Sequence, residues 1–182
     1  MIELDCTSLF DVPLLTWKDD DCVELNARLI DEIKNIKEPS SDRCLSGEWR
    51  SKHDFFQRNG TCIALRDKII EVSKAAVTRL GLINQSARVE FDGWINVNPP
   101  GAFNAPHDHA QWKLSGTYYV ATPKDCGAIE LLAPTSCRPT RARRAIEPKA
   151  GMFLLFPSSV YHWVHPNKSS SNRVSIAWNM RW

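Results

Sequence analysis

No stretch of this 182-residue sequence stays apolar for the roughly 18 to 20 residues that a membrane-spanning helix needs, so no such span is expected. A dominant charge is lacking too. Lys and Arg number 23 against 21 Asp and Glu, and a net charge of +2 gives no bulk attraction to nucleic acid or to a membrane surface. The start of the chain, Met1-Ile2-Glu3-Leu4-Asp5, carries acids where a secretory leader needs basic residues, and the expected location is the cytoplasm. Cys6, Cys22, Cys44, Cys62, Cys126 and Cys137 form no C-x-x-C pair. A disulfide framework normally accompanies a shorter, leader-bearing chain, so these residues read as reduced thiols packed like small apolar side chains. Internal repeats and low-complexity tracts are also missing.

The composition, 43% hydrophobic and 24% charged, suits a soluble globular protein, and the length suits one domain, residues 1–182, able to bury a core without staples. Its two halves differ in texture. Residues 19–37 begin with three acids, Asp19-Asp20-Asp21, suited to a helix N-terminus. Leu25, Leu29, Ile33 and Ile36 follow at helical spacing. Residues 61–80 repeat the pattern with Leu65, Ile69, Val72, Ala76 and Leu80, with Thr61 as cap and Gly81 as terminator. From Val89 onward, short strands are expected at Val89–Val97, Lys113–Ala121, Ala128–Ala133, Arg143–Glu147, Met152–Phe156, Val160–His165 and Arg173–Asn179. Turn residues between them indicate a barrel or jelly roll. The expectation is a mainly β fold with N-terminal helices: helical support over 1–82 and a strand core over 88–182. Residues 39–60 have no clear period and read as an irregular segment draped over the barrel.

Histidine is scarce, five residues in all, and three of the five make one layout. His107 and His109 stand at i and i+2, His162 follows some fifty residues later, and Arg173-Val174-Ser175 comes eleven residues after that. In a strand, residues i and i+2 share a face, so His107 and His109 would both look into a barrel while Asp108 looks away. His162 lies in the apolar run Val160-Tyr161-His162-Trp163-Val164, where an inward imidazole needs a partner such as a metal ion. Imidazole suits iron, copper, nickel and zinc alike, so the ligand types do not choose the metal. His53 and His165 read as hydrogen-bonded or surface residues. Arg173 and Ser175 would share a face, beside His162 if their strands form a hairpin across Pro166-Asn167-Lys168-Ser169. A guanidinium grips a carboxylate in two-pronged fashion and a hydroxyl adds a donor. Of Tyr118 and Tyr119, one hydroxyl would face inward. Tyr118, with Asn96 and Trp178 on flanking strands, is the candidate for the carboxylate pocket, and Tyr119 reads as core. The layout points to a non-haem iron oxygenase that uses 2-oxoglutarate.

Longer segments carry a resemblance. Asn98-Pro99-Pro100-Gly101-Ala102-Phe103-Asn104-Ala105-Pro106-His107-Asp108-His109, then Leu114-Ser115-Gly116-Thr117-Tyr118-Tyr119-Val120, Gly151–His162 and Arg173–Asn179, resemble the iron(II)/2-oxoglutarate-dependent oxygenases. The resemblance spans about residues 89–180, with Trp49-Arg50-Ser51 before it. It is strongest to a bacterial and phage branch with an H-x-H motif and largely unassigned substrates, and weaker to prolyl hydroxylases. It implies a double-stranded β-helix, a cupin-like jelly roll, with iron at His107 and His162 and 2-oxoglutarate at Arg173. The implied reaction hydroxylates a small molecule or a protein side chain and releases succinate and carbon dioxide. Most of the superfamily has H-x-D where this chain has H-x-H, so the third ligand is either His109, favoured by strand parity, or Asp108.

Two other readings stay open. A three-histidine cupin-type dioxygenase would work without 2-oxoglutarate, though it has no use for Arg173 and Ser175. A metal- or ligand-binding barrel without turnover is the other. Arg138, Arg141, Arg143 and Arg144 read as a charged strand edge, and nucleic-acid binding is not expected. A homodimer is left open.

Overall fold

Alternation along the strands sorts the side chains into two environments before any tertiary detail is needed. The structure, a computed structural model, describes residues 2–9, 12–40, 46–82, 88–133 and 143–182. In chain order the elements are β1 (Asp5–Leu9), β2 (Val12–Lys18), α1 (Cys22–Lys34), β3 (Trp49–Arg50), α2 (Thr61–Arg79), β4 (Glu90–Asn98) and β5 (Asn104–His107). They continue with β6 (Leu114–Ala121), β7 (Ile129–Leu132), β8 (Arg143–Ile146), β9 (Met152–Pro157), β10 (His162–Val164) and β11 (Arg173–Arg181). A seven-stranded sheet runs β1-β2-β9-β6-β11-β4-β3 and a four-stranded sheet runs β5-β10-β7-β8, with antiparallel pairing throughout. This is a double-stranded β-helix with helices on one side.

In β11 the residues Val174, Ile176 and Trp178 pack outward against the helices. The alternate residues Arg173, Ser175, Ala177 and Asn179 line a cavity on the other face. On the helical side, Leu29 and Ile33 of α1 and Leu65, Ile69, Val72 and Ala76 of α2 close over Leu15, Ile95, Tyr118, Phe153 and Leu155. Each such fully buried aliphatic side chain contributes about 1.5 to 3 kcal/mol relative to exposure, enough to fix the helices to the sheet. Between the sheets the filling is uneven. Leu14, Ile129, Leu131, Leu154, Phe156 and Val160 form an apolar plug, and polar side chains of β4, β6 and β11 occupy the rest.

Gly116 is required by this packing. It pairs with Trp178 across β6 and β11, and a Cβ at Gly116 would lie 2.3 Å from the indole ring. Trp178 Nε1–H donates to Ser73 Oγ of α2 at 3.2 Å, which any shift of the ring away from Gly116 would strain.

Several details differ from the sequence expectation. The region 1–82 is not only helical, since β1, β2 and β3 add three strands to the large sheet. Thr61 is not a cap but the first residue of α2, after Gly60. Its N–H donates to the Glu32 carboxylate of α1 at 2.8 and 3.0 Å, and its hydroxyl bonds the same group, an acid at a helix N-terminus as the dipole favours. The hairpin expected between the strands of His162 and Arg173 does not form. β10 pairs with β5 and β7, whereas β11 pairs with β4 and β6, because the connecting turn carries the chain from one sheet to the other. Arg138 and Arg141 lie outside the described residues, and Arg143 faces Glu130 at 3.5 Å. No helix among the described residues is long and apolar enough to cross a membrane.

Candidate metal and co-substrate site

His107, the last residue of β5, stands directly opposite His162, the first of β10, in the strand register, and their ring centroids are 4.4 Å apart. The chain leaves the strand after His107, so parity is not what brings His109 in. Instead the His109 N–H donates to the Ser158 carbonyl at 2.8 Å and the Trp112 N–H closes a turn on the His109 carbonyl at 2.8 Å. The turn sets the His109 ring 4.9 Å from that of His107 and 5.3 Å from that of His162. One ring nitrogen from each of the three lies within 4.8 Å of the others. Asp108 is exposed, and its carboxylate accepts the Ala110 N–H at 3.2 Å, turned away from the cluster.

The hydrogen bonds set the rings up as ligands. His107 Nδ1–H donates to the Ala105 carbonyl at 2.7 Å and His162 Nδ1–H to the Val160 carbonyl at 2.9 Å. That fixes the tautomer and leaves each Nε2 lone pair for a metal. Burial, joined by the charges of His162, His107 and Arg50, pushes His109 down to about 3. Burial and His107 push His162 down to about 4, and burial chiefly lowers His107. The cluster is therefore unprotonated at neutral pH, as metal binding requires. Three clustered neutral imidazoles without a structural partner for their free nitrogens fit a transition-metal ion such as Fe(II).

Arg173 borders the same cavity. It is 2% exposed, and its Nη2–H donates to Asn104 Oδ1 at 3.2 Å and its Nη1–H to the Gly127 carbonyl at 3.3 Å. Among the described residues its Nε–H has no acceptor and no carboxylate pairs with it. Burial pulls its pKa below the usual guanidinium value, against the opposing pull of Tyr119 and Cys126. A buried cation in this state calls for an anion. Ser175 of β11 and Tyr119 of β6 are register partners, and both line the cavity with Arg173.

The tyrosine assignment reverses. Tyr118 belongs to the helix-facing core, and its hydroxyl donates to Asn26 Oδ1 of α1 at 2.7 Å, so it is not a pocket residue. Tyr119 is the one that faces in. The reason is parity: Ser115, Thr117 and Tyr119 share the inner face of β6, and counting back from Tyr119 to the inward Ser115 would have found it. Asn96 lines the cavity. Trp178 borders it, but its indole lies on the helix-facing side, bonded to Ser73. Asn104, Thr117 and Asn179 are cavity residues that the sequence reading missed. Beyond the histidines opens an outer cleft of about 410 Å³ whose walls include Glu48, Arg50, His53, Asp92, Trp94 and Trp112.

Residues 92–179 match the family model described as "Putative 2OG-Fe(II) oxygenase". By this match the segment carrying all three histidines and Arg173 belongs with the 2OG-Fe(II) oxygenases. Solved structures share the fold. A prolyl-4-hydroxylase from Pseudomonas putida superposes with a TM-score of 0.68 at 16% identity, covering 93% of this chain and 92% of that one. A Trichoplax adhaerens prolyl hydroxylase, solved with a hypoxia inducible factor peptide fragment, gives 0.68 at 16% identity, covering 92% and 82%. The α-ketoglutarate-dependent carbocyclase SnoK from nogalamycin biosynthesis gives 0.67 at 12% identity, covering 92% and 78%. No protein of curated function matches the chain in sequence. The family match over residues 92–179 is to the 2OG-Fe(II) oxygenases, an enzyme class whose cofactor is Fe(II) and whose co-substrate is 2-oxoglutarate, and the solved structures share the fold.

Proposed function

We propose that this oxygenase hydroxylates a small molecule or a peptide side chain, with Fe(II) held by His107, His109 and His162 and with 2-oxoglutarate anchored by Arg173. The observation that carries the reading is the buried Arg173 guanidinium, with a free Nε–H and no carboxylate partner among the described residues, beside three clustered imidazoles. Fe(II) with 2-oxoglutarate supplies oxidation of a substrate C–H bond by dioxygen, coupled to decarboxylation of 2-oxoglutarate to succinate.

The residues have separable tasks. The Ala105 and Val160 carbonyls hold the His107 and His162 rings in one tautomer. Arg173 offers a carboxylate a two-pronged contact, and the Tyr119 and Ser175 hydroxyls are placed to add donors. Asn104 Oδ1 accepts the Arg173 Nη2–H and holds the guanidinium in place. Three neutral ligands leave the metal more positive than two histidines and a carboxylate would. Arg173 favours this reading over a three-histidine cupin, which needs no carboxylate clamp.

Incubation with Fe(II), 2-oxoglutarate and oxygen should release succinate, and chelation should stop it; no succinate with any candidate substrate would favour a barrel that binds without turnover. The two tyrosines give a sharper local check. Tyr119→Phe should weaken 2-oxoglutarate binding by about 10- to 100-fold, the effect of losing a hydrogen bond to a charged group at about 1.5 to 3 kcal/mol. Tyr118→Phe should leave that affinity unchanged and lower only thermal stability. Equal affinities for the two variants in a calorimetric titration would remove Tyr119 from the clamp.

A further inference from the structure

Arg50 stands where the inner chamber meets the outer cleft, lining both. It reaches there from β3, the two-residue strand at the edge of the large sheet, paired to β4 through Arg50 and Asn96. Its guanidinium is half-buried and lies over the Trp94 ring, 5.6 Å from the centroid. Its one side-chain hydrogen bond among the described residues is from Nε–H to Asn96 Oδ1 at 3.3 Å.

The acids of the cleft are already engaged. Asp92 accepts His53 Nδ1–H at 2.7 Å, Asp108 accepts the Ala110 N–H at 3.2 Å, and Glu48 accepts the Ser46 N–H at 3.0 Å. None of them is within ion-pair distance of Arg50. The wall beside Arg50 holds a second unmet donor, since the buried Trp94 Nε1–H has no acceptor among the described residues. Trp94 in turn touches His109, with ring centroids 5.7 Å apart, so the spot adjoins the metal cluster.

A cation half withdrawn from water, stacked on an indole and bonded only to a neutral amide, is primed for an anion. It is separate from Arg173, which sits at the inner end beside Tyr119, Ser175 and Asn104. From this arrangement we propose that the outer cleft is the substrate subsite and that Arg50 binds a carboxylate of the substrate, holding an acid-bearing molecule in the cleft beside the histidines. The proposal rests on the oxygenase reading above. It deepens that reading by dividing two anions between two arginines: 2-oxoglutarate on Arg173 and the substrate acid on Arg50.

The test uses the full chain, loaded with Fe(II) under anaerobic conditions and saturated with 2-oxoglutarate. Calorimetric titration with a panel of monocarboxylic acids, each beside its own primary amide, should find acids that bind at least about tenfold tighter than their amides. Arg50→Gln should abolish that preference and Arg50→Lys should restore part of it, because a point charge keeps attraction but loses the two-pronged contact. The first titration, of 2-oxoglutarate itself, should be unchanged in Arg50→Gln. A purely structural role for Arg50 would weaken acid and amide alike. Acids and amides binding equally, no acid binding at all, or a 2-oxoglutarate affinity that falls in Arg50→Gln would each overturn the assignment. Failure of the parent to bind 2-oxoglutarate would instead strike the oxygenase reading itself, so the two failures are distinguishable.

Discussion

Arg173→Ala is expected to weaken 2-oxoglutarate binding by about tenfold or more while leaving iron content nearly intact. Losing one member of a buried, hydrogen-bonded charge pair typically costs about 2 to 5 kcal/mol. Arg173 has the burial that puts it in that range: it is 2% exposed and without a carboxylate partner among the described residues. The iron should stay because Arg173 bonds Asn104 and Gly127, not the histidines. Arg173→Lys should recover part of the affinity only. Anaerobic calorimetric titration of iron-loaded protein reads both variants. An unchanged affinity in Arg173→Ala would remove Arg173 from the clamp, and no 2-oxoglutarate binding in the parent protein would point to the three-histidine cupin, which does without it.

Alanine at His107, His109 or His162 should empty the metal site, and alanine at Asp108 should not. Losing even an outer hydrogen-bonding partner of a ligand costs about 10 to 100-fold in metal affinity, and removal of a ligand itself should exceed that. The contrast between His109 and Asp108 decides the matter, because most of the superfamily has a carboxylate at the third ligand position. Here the sequence has His109 in place of that carboxylate, and the adjacent Asp108 is exposed and bonded to Ala110. Iron measured by plasma mass spectrometry after anaerobic loading and desalting gives the answer. Full iron in His109→Ala together with loss in Asp108→Ala would restore the facial triad and sink the three-histidine assignment.

The strands of the barrel were legible because their inner and outer residues differ in polarity. β11 alternates Arg173, Ser175 and Asn179 with Val174, Ile176 and Trp178, and its signal survives in sequence. β2 did not show it, since adjacent Leu14 and Leu15 are both buried, one in each apolar cluster, and a continuous apolar run has no period to read. β3 was missed for being two residues long, and β5, Asn104–His107, was missed because Asn104 and Pro106 are turn and edge residues and not strand signals. The clustering of His107 and His162 was foreseen from chemistry, but their cross-strand pairing was not, because it depends on which sheet each strand joins. His109 was read as inward by strand parity, whereas a turn anchored on Ser158 is what turns it in. Tyr118 was misread because alternation within β6 was not anchored to a residue of known orientation.

The strand that carries His107 is the outermost of its sheet. It is four residues long and joined to β10 through an irregular register in which only His162↔His107 and Val164↔Asn104 are paired. Its other edge has no strand neighbour among the described residues. Segments with so few protected backbone bonds open by themselves, at a free energy well below that of global unfolding. Asn104 begins this strand and His107 ends it, so one fraying event loosens the Arg173 contact and the histidine pair together. The exchange lifetime of a metal at this centre would then follow the opening of β5 and not the melting of the barrel, and amide hydrogen exchange at residues 104–107 would keep the same clock.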